Sequence, residues 1–261
     1  MAATRLIAAS ALAALLGSAL PVRADHSSYL SAVEAVNKAG RQRMLSQRMV
    51  KSYLQTAQGI APDAARGQLA EALAVFDDQI DDLKGFETEP DLRGPYLELE
   101  TQWHAVRAYV TAPPNRENAA ALLTASQRLL EAAERNTAAL ERHAGGASAK
   151  LVNLSGRQRM LSQRIAKDYL YLAWHFDDPS IKKDLATARE EFGRALADLG
   201  SAPQNSDEIH RELAAVAAQW KELEPMLNRE RTTAAERAKV VAMTDAILAR
   251  MERVTSLYQK L

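Results

Sequence analysis

Arg43 and Arg159 are the residues of this chain best suited to do chemistry. Each is the second Arg of a nine-residue string, Gly-Arg-Gln-Arg-Met-Leu-Ser-Gln-Arg, that occurs at 40–48 and again at 156–164. On a helix advancing about 100° per residue, Val33, Val36, Gly40, Met44, Lys51 and Leu54 fall near one line, and Arg43 and Gln47 share their face. The second copy repeats this through Val152, Gly156, Arg159, Met160, Gln163, Lys167 and Leu170. A guanidinium on an apolar face needs a partner, because a buried unpaired charge is costly. A mid-helix Gly also costs about 1 kcal/mol against Ala, and it leaves room for a close neighbour. If the two copies face each other, two planar guanidinium forks, with Gln47 and Gln163 as neutral donors, suit one small oxyanion. Apolar surroundings would strengthen those charge-assisted bonds. The same residues also fit a packing cassette. In that reading Arg43 and Arg159 pair with Asp or Glu on neighbouring helices, and Gly40 and Gly156 only allow close approach. The residues alone leave both readings open.

Other chemistry finds less support. The five His (His26, His104, His143, His175 and His210) show no Glu-x-x-His or His-x-x-x-His spacing, so no metal site is predicted. Glu100 and His104 read as a surface pair. There is no phosphate loop and no Gly-x-Ser-x-Gly elbow. Trp103 and Trp220 hold equivalent places, which points to core packing rather than ligand stacking. No nucleophile, cofactor motif or acid/base pair emerges, so the chain reads as a binding protein rather than an enzyme. Lys plus Arg and Asp plus Glu both total 33, which argues against a nucleic-acid partner.

The elements that position the string come in two sets. Residues 37–54 and 153–170 are identical at 13 of 18 positions, at an offset of 116. Phe76 matches Phe192, Gln102-Trp103 matches Gln219-Trp220, and Glu134-Arg135 matches Glu252-Arg253, with an offset that drifts to 118. The repeat therefore spans most of the chain. Apolar spacing and Pro/Gly punctuation predict helices over 27–58, 63–85, 90–111 and 115–143, then 148–176, 179–200, 206–228 and 231–260. The predicted fold is all-α: two tandem antiparallel four-helix bundles. An even helix count returns the chain to the end where it began. A turn at Gly145-Gly146 then sets the bundles side by side as a pseudo-dimer, with helices one and five parallel. A continuous fourth-to-fifth helix would instead give an end-to-end rod, at a cost of about 2 kcal/mol for two interior Gly.

The first residues read as a separate object. Arg5, the apolar run Leu6–Leu20 and Val22-Arg23-Ala24 form a secretory signal, cut after Ala24. The domains are thus 1–24 (signal), 25–144 (first bundle) and 145–261 (second bundle). The predicted destination is the periplasm, without direct membrane insertion after cleavage. The chain has no Cys, which excludes disulfides, thiolate chemistry and c-type haem attachment.

Asn-x-x-Gly-Arg-Gln-Arg-Met-Leu-Ser-Gln-Arg at the start of a helical bundle resembles the sensor module of PilJ-type chemotaxis transducers. It is also similar to the first-helix segment of NarX-type nitrate/nitrite sensor kinases. The resemblance covers 27–143 and 148–260, and only the string is specific. It implies a sensing module that signals to a membrane receptor or transducer. In NarX-type sensors the Arg just before the Met binds nitrate at a two-fold dimer interface, which by resemblance implies Arg43 and Arg159. The duplication would then build within one chain what those sensors build from two, with nitrate or nitrite as the implied ligand. Two departures stand: those proteins carry transmembrane helices and output domains, and Leu45 and Gln47 follow the PilJ-type version. In the alternative reading the repeated helix is a docking surface, for a PilJ-like transducer or for a second copy. Arg41, Arg48, Arg157 and Arg164 on the flank would make those contacts.

Overall fold

The computed structural model describes residues 30–229 and 232–261. The signal segment expected at 1–24 lies outside the described residues. Eight α-helices carry the fold: α1 (Ala32–Ala57), α2 (Pro62–Leu83), α3 (Pro90–Val110), α4 (Arg116–Ala144), α5 (Gly146–Ala173), α6 (Pro179–Gly200), α7 (Asp207–Leu223) and α8 (Ala234–Tyr258).

Local chemistry sets the ends. At α1 a capping box joins Ser31 and Glu34: Glu34 N–H donates to Ser31 Oγ and Ser31 N–H donates to the Glu34 carboxylate. Thr233 and Glu236 do the same for α8. Asn115, Asp178 and Ser206 cap α4, α6 and α7, and Pro starts α2, α3 and α6. Several expected boundaries shift: α1 starts at Ala32 rather than 27 and α8 at Ala234 rather than 231. The second helix ends at Leu83 and the seventh at Leu223, each followed by a five-residue 3₁₀ turn, Lys84–Thr88 and Glu224–Asn228. Pro225 in the latter cannot donate to the ladder of α7. The fifth helix stops at Ala173, because His175 takes a left-handed φ of 58°.

Between α4 and α5 the chain turns rather than running through. Gly145 and Gly146 have φ of 63° and 75°, values that only Gly adopts without steric cost. The turn reverses direction and sets the two halves side by side. Within each half the first helix packs on the second and the fourth, and the third on the fourth. Between the halves, α1 against α5 is the most extensive helix contact in the molecule. These two helices run parallel. Asn37, on the second turn of α1, meets Arg159 midway along α5, and near their ends Gln58 Nε2 donates to Leu170 O at 3.1 Å. Equivalent aromatic pairs fill the two outer cores, Phe76 on Trp103 and Phe192 on Trp220, with ring centroids 4.1 and 4.5 Å apart.

Candidate functional site

The α1–α5 crossing is tight because two Gly meet there. A methyl group placed on Gly156 would stand 3.9 Å from the Gly40 Cα. The space a Cβ would take is occupied by guanidinium nitrogen. Such a methyl on Gly40 would lie 3.3 Å from Arg43 Nη2 and 3.6 Å from Arg159 Nη2; on Gly156, 3.2 Å from Arg159 Nη2 and 3.5 Å from Arg43 Nη2. The two guanidinium groups therefore meet across the pseudo-two-fold axis, their Nη2 atoms within about 7 Å of each other. Both residues are 1% exposed.

Each guanidinium is held by the other repeat. Arg43 Nη2 donates to Asn153 Oδ1 at 2.6 Å and to Asn153 O at 3.2 Å. Arg159 Nη2 donates to Asn37 Oδ1 at 2.7 Å and to Asn37 O at 3.4 Å. The helical-face reading of the sequence did not single out these Asn. The available signal was their invariance between repeats: each opens the 18-residue near-identical segment, six residues before its Arg.

The symmetry ends at the carboxylates. Arg43 Nη1 donates to Glu134 Oε2 at 2.9 Å. Glu252, the counterpart of Glu134, pairs instead with Arg41 at 3.1 Å, and Arg159 makes no ion pair among the described residues. Burial, with Arg41 and Arg43 acting in the same direction and Glu252 opposing, pushes Arg159 down to about 9, so it remains charged at neutral pH. Burial lowers Arg43 too, against the pull of Glu134. The Nε atoms of both arginines are buried without a hydrogen-bond partner among the described residues. A cleft of about 390 Å³ between α4 and α5 is lined by Arg43, Glu134, Glu141, Lys150, Asn153 and Arg157.

The other predicted residues take varied positions. Gln47 and Gln163 lie buried one turn beyond the arginines, but no hydrogen bond joins either to a guanidinium. Gln47 Nε2 donates to Ser46 Oγ at 3.0 Å and Gln163 Nε2 to Ser162 Oγ at 3.4 Å, leaving both Oε1 atoms unpartnered. The flank arginines are committed inside the molecule. Arg41 reaches Glu252, Arg48 faces Glu71 at 3.6 Å, Arg157 bridges Glu134 and Glu191, and Arg164 faces Asp168 and Asp184. One helical turn further on, Lys51 bonds Asp245 at 2.5 Å and Lys167 lies 3.1 Å from Asp168. The α1–α5 interface is thus a buried polar seam of Arg, Gln and Lys layers.

Two copies of one family pattern lie on this framework. The family described as the type IV pili methyl-accepting chemotaxis transducer N-terminal domain, PilJ, matches residues 27–137 and again 143–248. The chain belongs to the PilJ family. No curated protein and no solved structure matches it. Membership makes the chain a tandem of sensing and signalling modules, and the two matched segments run through the two bundles that meet at Arg43 and Arg159. Among the described residues no helix is long and apolar enough to cross a membrane.

Proposed function

We propose that this tandem PilJ protein is a periplasmic, non-catalytic sensing module that binds a small oxyanion, nitrate or nitrite, between its repeats. The observation that carries the reading is Arg159: a buried guanidinium with no carboxylate partner among the described residues, placed against a second buried guanidinium. Two like charges in a low-dielectric seam repel strongly, and an anion bridging them would remove that repulsion. The unpartnered Nε–H groups supply donors to a planar oxyanion. A half-turn of the Gln47 or Gln163 amide would add an N–H donor from the next layer. Bound anion would draw α1 and α5 together at Gly40 and Gly156, and that shift along two parallel helices is the state passed to a membrane partner. The chemotaxis-transducer setting of the family supports such a partner.

Thermal unfolding and titration calorimetry of the chain with nitrate, nitrite, sulfate and chloride test the proposal. A ligand present at a hundred times its dissociation constant should add about 2.7 kcal/mol of stability. The response should vanish in Arg43→Ala and Arg159→Ala. No response to any anion, or the same response in those variants, overturns the reading.

A further inference from the structure

Arg43 and Arg159 enter the seam in different states. Among the described residues Arg159 has only its Nη2 engaged, on Asn37. Arg43 has Nη2 on Asn153 and Nη1 on Glu134. The Glu134 carboxylate is itself a planar oxyanion held between two guanidinium groups. Its Oε2 accepts from Arg43 Nη1 at 2.9 Å, and Arg157 Nη1 reaches Oε1 at 3.1 Å and Oε2 at 3.2 Å. An external nitrate or nitrite would use the same kind of grip, because its oxygens share the planar arrangement of a carboxylate.

Glu134 reaches Arg43 from the solvent side. Its side chain is 29% exposed, against 2% for Arg43. Both line the cleft of about 390 Å³ between α4 and α5. There Arg43, Lys150 and Arg157 face Glu134 and Glu141, so the cleft is net positive even with Glu134 in place. Glu141 accepts from Asn153 Nδ2, and Lys150 makes no ion pair among the described residues. Arg157 is anchored separately, its Nη2 donating to Glu191 Oε2 at 2.9 Å, so it can stay when Glu134 leaves. The cleft therefore attracts anions and leads to Arg43, where a carboxylate with access to water already sits. The other repeat has no such arrangement: Glu252 pairs with Arg41 instead.

We propose that Glu134 is a competing internal ligand of the anion site. An oxyanion arriving through the α4–α5 cleft displaces its carboxylate from Arg43, and the strength of the Arg43–Glu134 pair sets the anion concentration to which the seam responds. The inference rests on the anion reading of that seam and adds the residue that regulates it. A ligand whose site is free in only part of the population binds more weakly by that fraction. The displaced carboxylate regains water in the cleft, which limits the cost of its release.

Titration calorimetry of the full chain with sodium nitrate compares the parent, Glu134→Gln and Glu134→Asp. Gln removes the competing charge. Asp keeps the charge but is one methylene short of Arg43. Both variants should bind nitrate about tenfold more tightly or better. In the parent, the carboxylate ¹³C resonance of Glu134, assigned by its absence from Glu134→Gln, should move toward the position of a solvated glutamate, with the midpoint found by calorimetry. If Glu134→Gln does not fold, Glu134→Asp and the parent resonance carry the test. Tighter binding in Glu134→Gln alone is a plain charge effect and overturns the proposal. So does a Glu134 resonance that stays in place while nitrate binds. Nitrate binding of equal strength in all folded forms removes the internal competitor and leaves the anion reading standing. No binding by any form removes both.

Discussion

Asn37 of the first repeat accepts a 2.7 Å hydrogen bond from Arg159 of the second. Together with the backbone carbonyl of Asn37, at 3.4 Å, that side-chain amide provides the acceptors of a guanidinium that has no carboxylate partner among the described residues. Arg43 has the matching Asn153 and, in addition, Glu134. The two asparagines therefore carry unequal burdens. Asn37→Ala should destabilise the fold by about 1.5–3 kcal/mol, the range for losing a hydrogen bond to a charged group, and Asn153→Ala by less. Urea unfolding of both variants checks the order; equal losses would refute the asymmetry.

Removing the uncompensated charge should act in the opposite direction. Arg159→Met keeps much of the side-chain volume and eliminates a buried cation that lies beside another. Without anion it should raise stability by about 1–4 kcal/mol, the range seen when buried ionic groups give way to apolar ones. The same variant should lose its response to nitrate and nitrite. If it is less stable than the parent in anion-free buffer, Arg159 is a packing element and the sensing proposal weakens with it.

The paired glycines give a separable readout. Gly40→Ala and Gly156→Ala each gain about 1 kcal/mol of helix propensity. Each also puts a methyl group 3.2–3.6 Å from both Nη2 atoms, which must move aside. The two effects oppose, so the net change in stability should stay within about 1 kcal/mol. Anion affinity, which depends on where the guanidinium groups sit, should fall about tenfold or more. Parallel denaturation and calorimetry measure both quantities, and unchanged affinity would show that the Gly pair serves packing alone.

Asp168 sets an acid-side dependence. Burial raises its carboxyl above the usual 3.8, despite Lys167 and Arg164. The folded chain thus keeps a proton that the unfolded chain releases. The stability this group contributes is complete below pH 3.8 and is lost as pH rises through the folded value. Unfolding free energy measured against pH should fall for the parent relative to Asp168→Asn over that window, then run parallel. Parallel curves throughout would show that Asp168 titrates normally.

The fold was largely legible because its signals are local. Apolar spacing marked the helices, Pro and Gly marked the turns, and an even helix count placed α1 and α5 side by side. The meeting of Arg43 and Arg159 followed from that count and from the Gly one turn before each Arg. The Asn clamps were not legible as clamps, since each reaches into the other repeat and no periodicity encodes that contact. The broken symmetry was hidden for a different reason. Glu134 and Glu252 occupy equivalent places, so the sequence implies equivalent pairing. Around them the repeats differ: Asn153 Nδ2 bonds the charged Glu141, whereas Asn37 Nδ2 bonds the neutral Gln259 at 2.8 Å. Glu134 then serves Arg43 and Arg157 together, while Glu252 holds Arg41 and leaves Arg159 without an ion pair among the described residues.

The Gly145-Gly146 turn has a consequence for how such a protein behaves in a cell. Where a helix pair like α1 and α5 comes from two separate chains, its population follows mass action, and dilution pulls it apart. Here a two-residue turn makes the encounter intramolecular, at an effective concentration on the order of millimolar or above. The fraction of paired helices is then the same whether the cell holds few copies or many. Occupancy of the seam would report the ligand alone, free of any contribution from how much protein has been made.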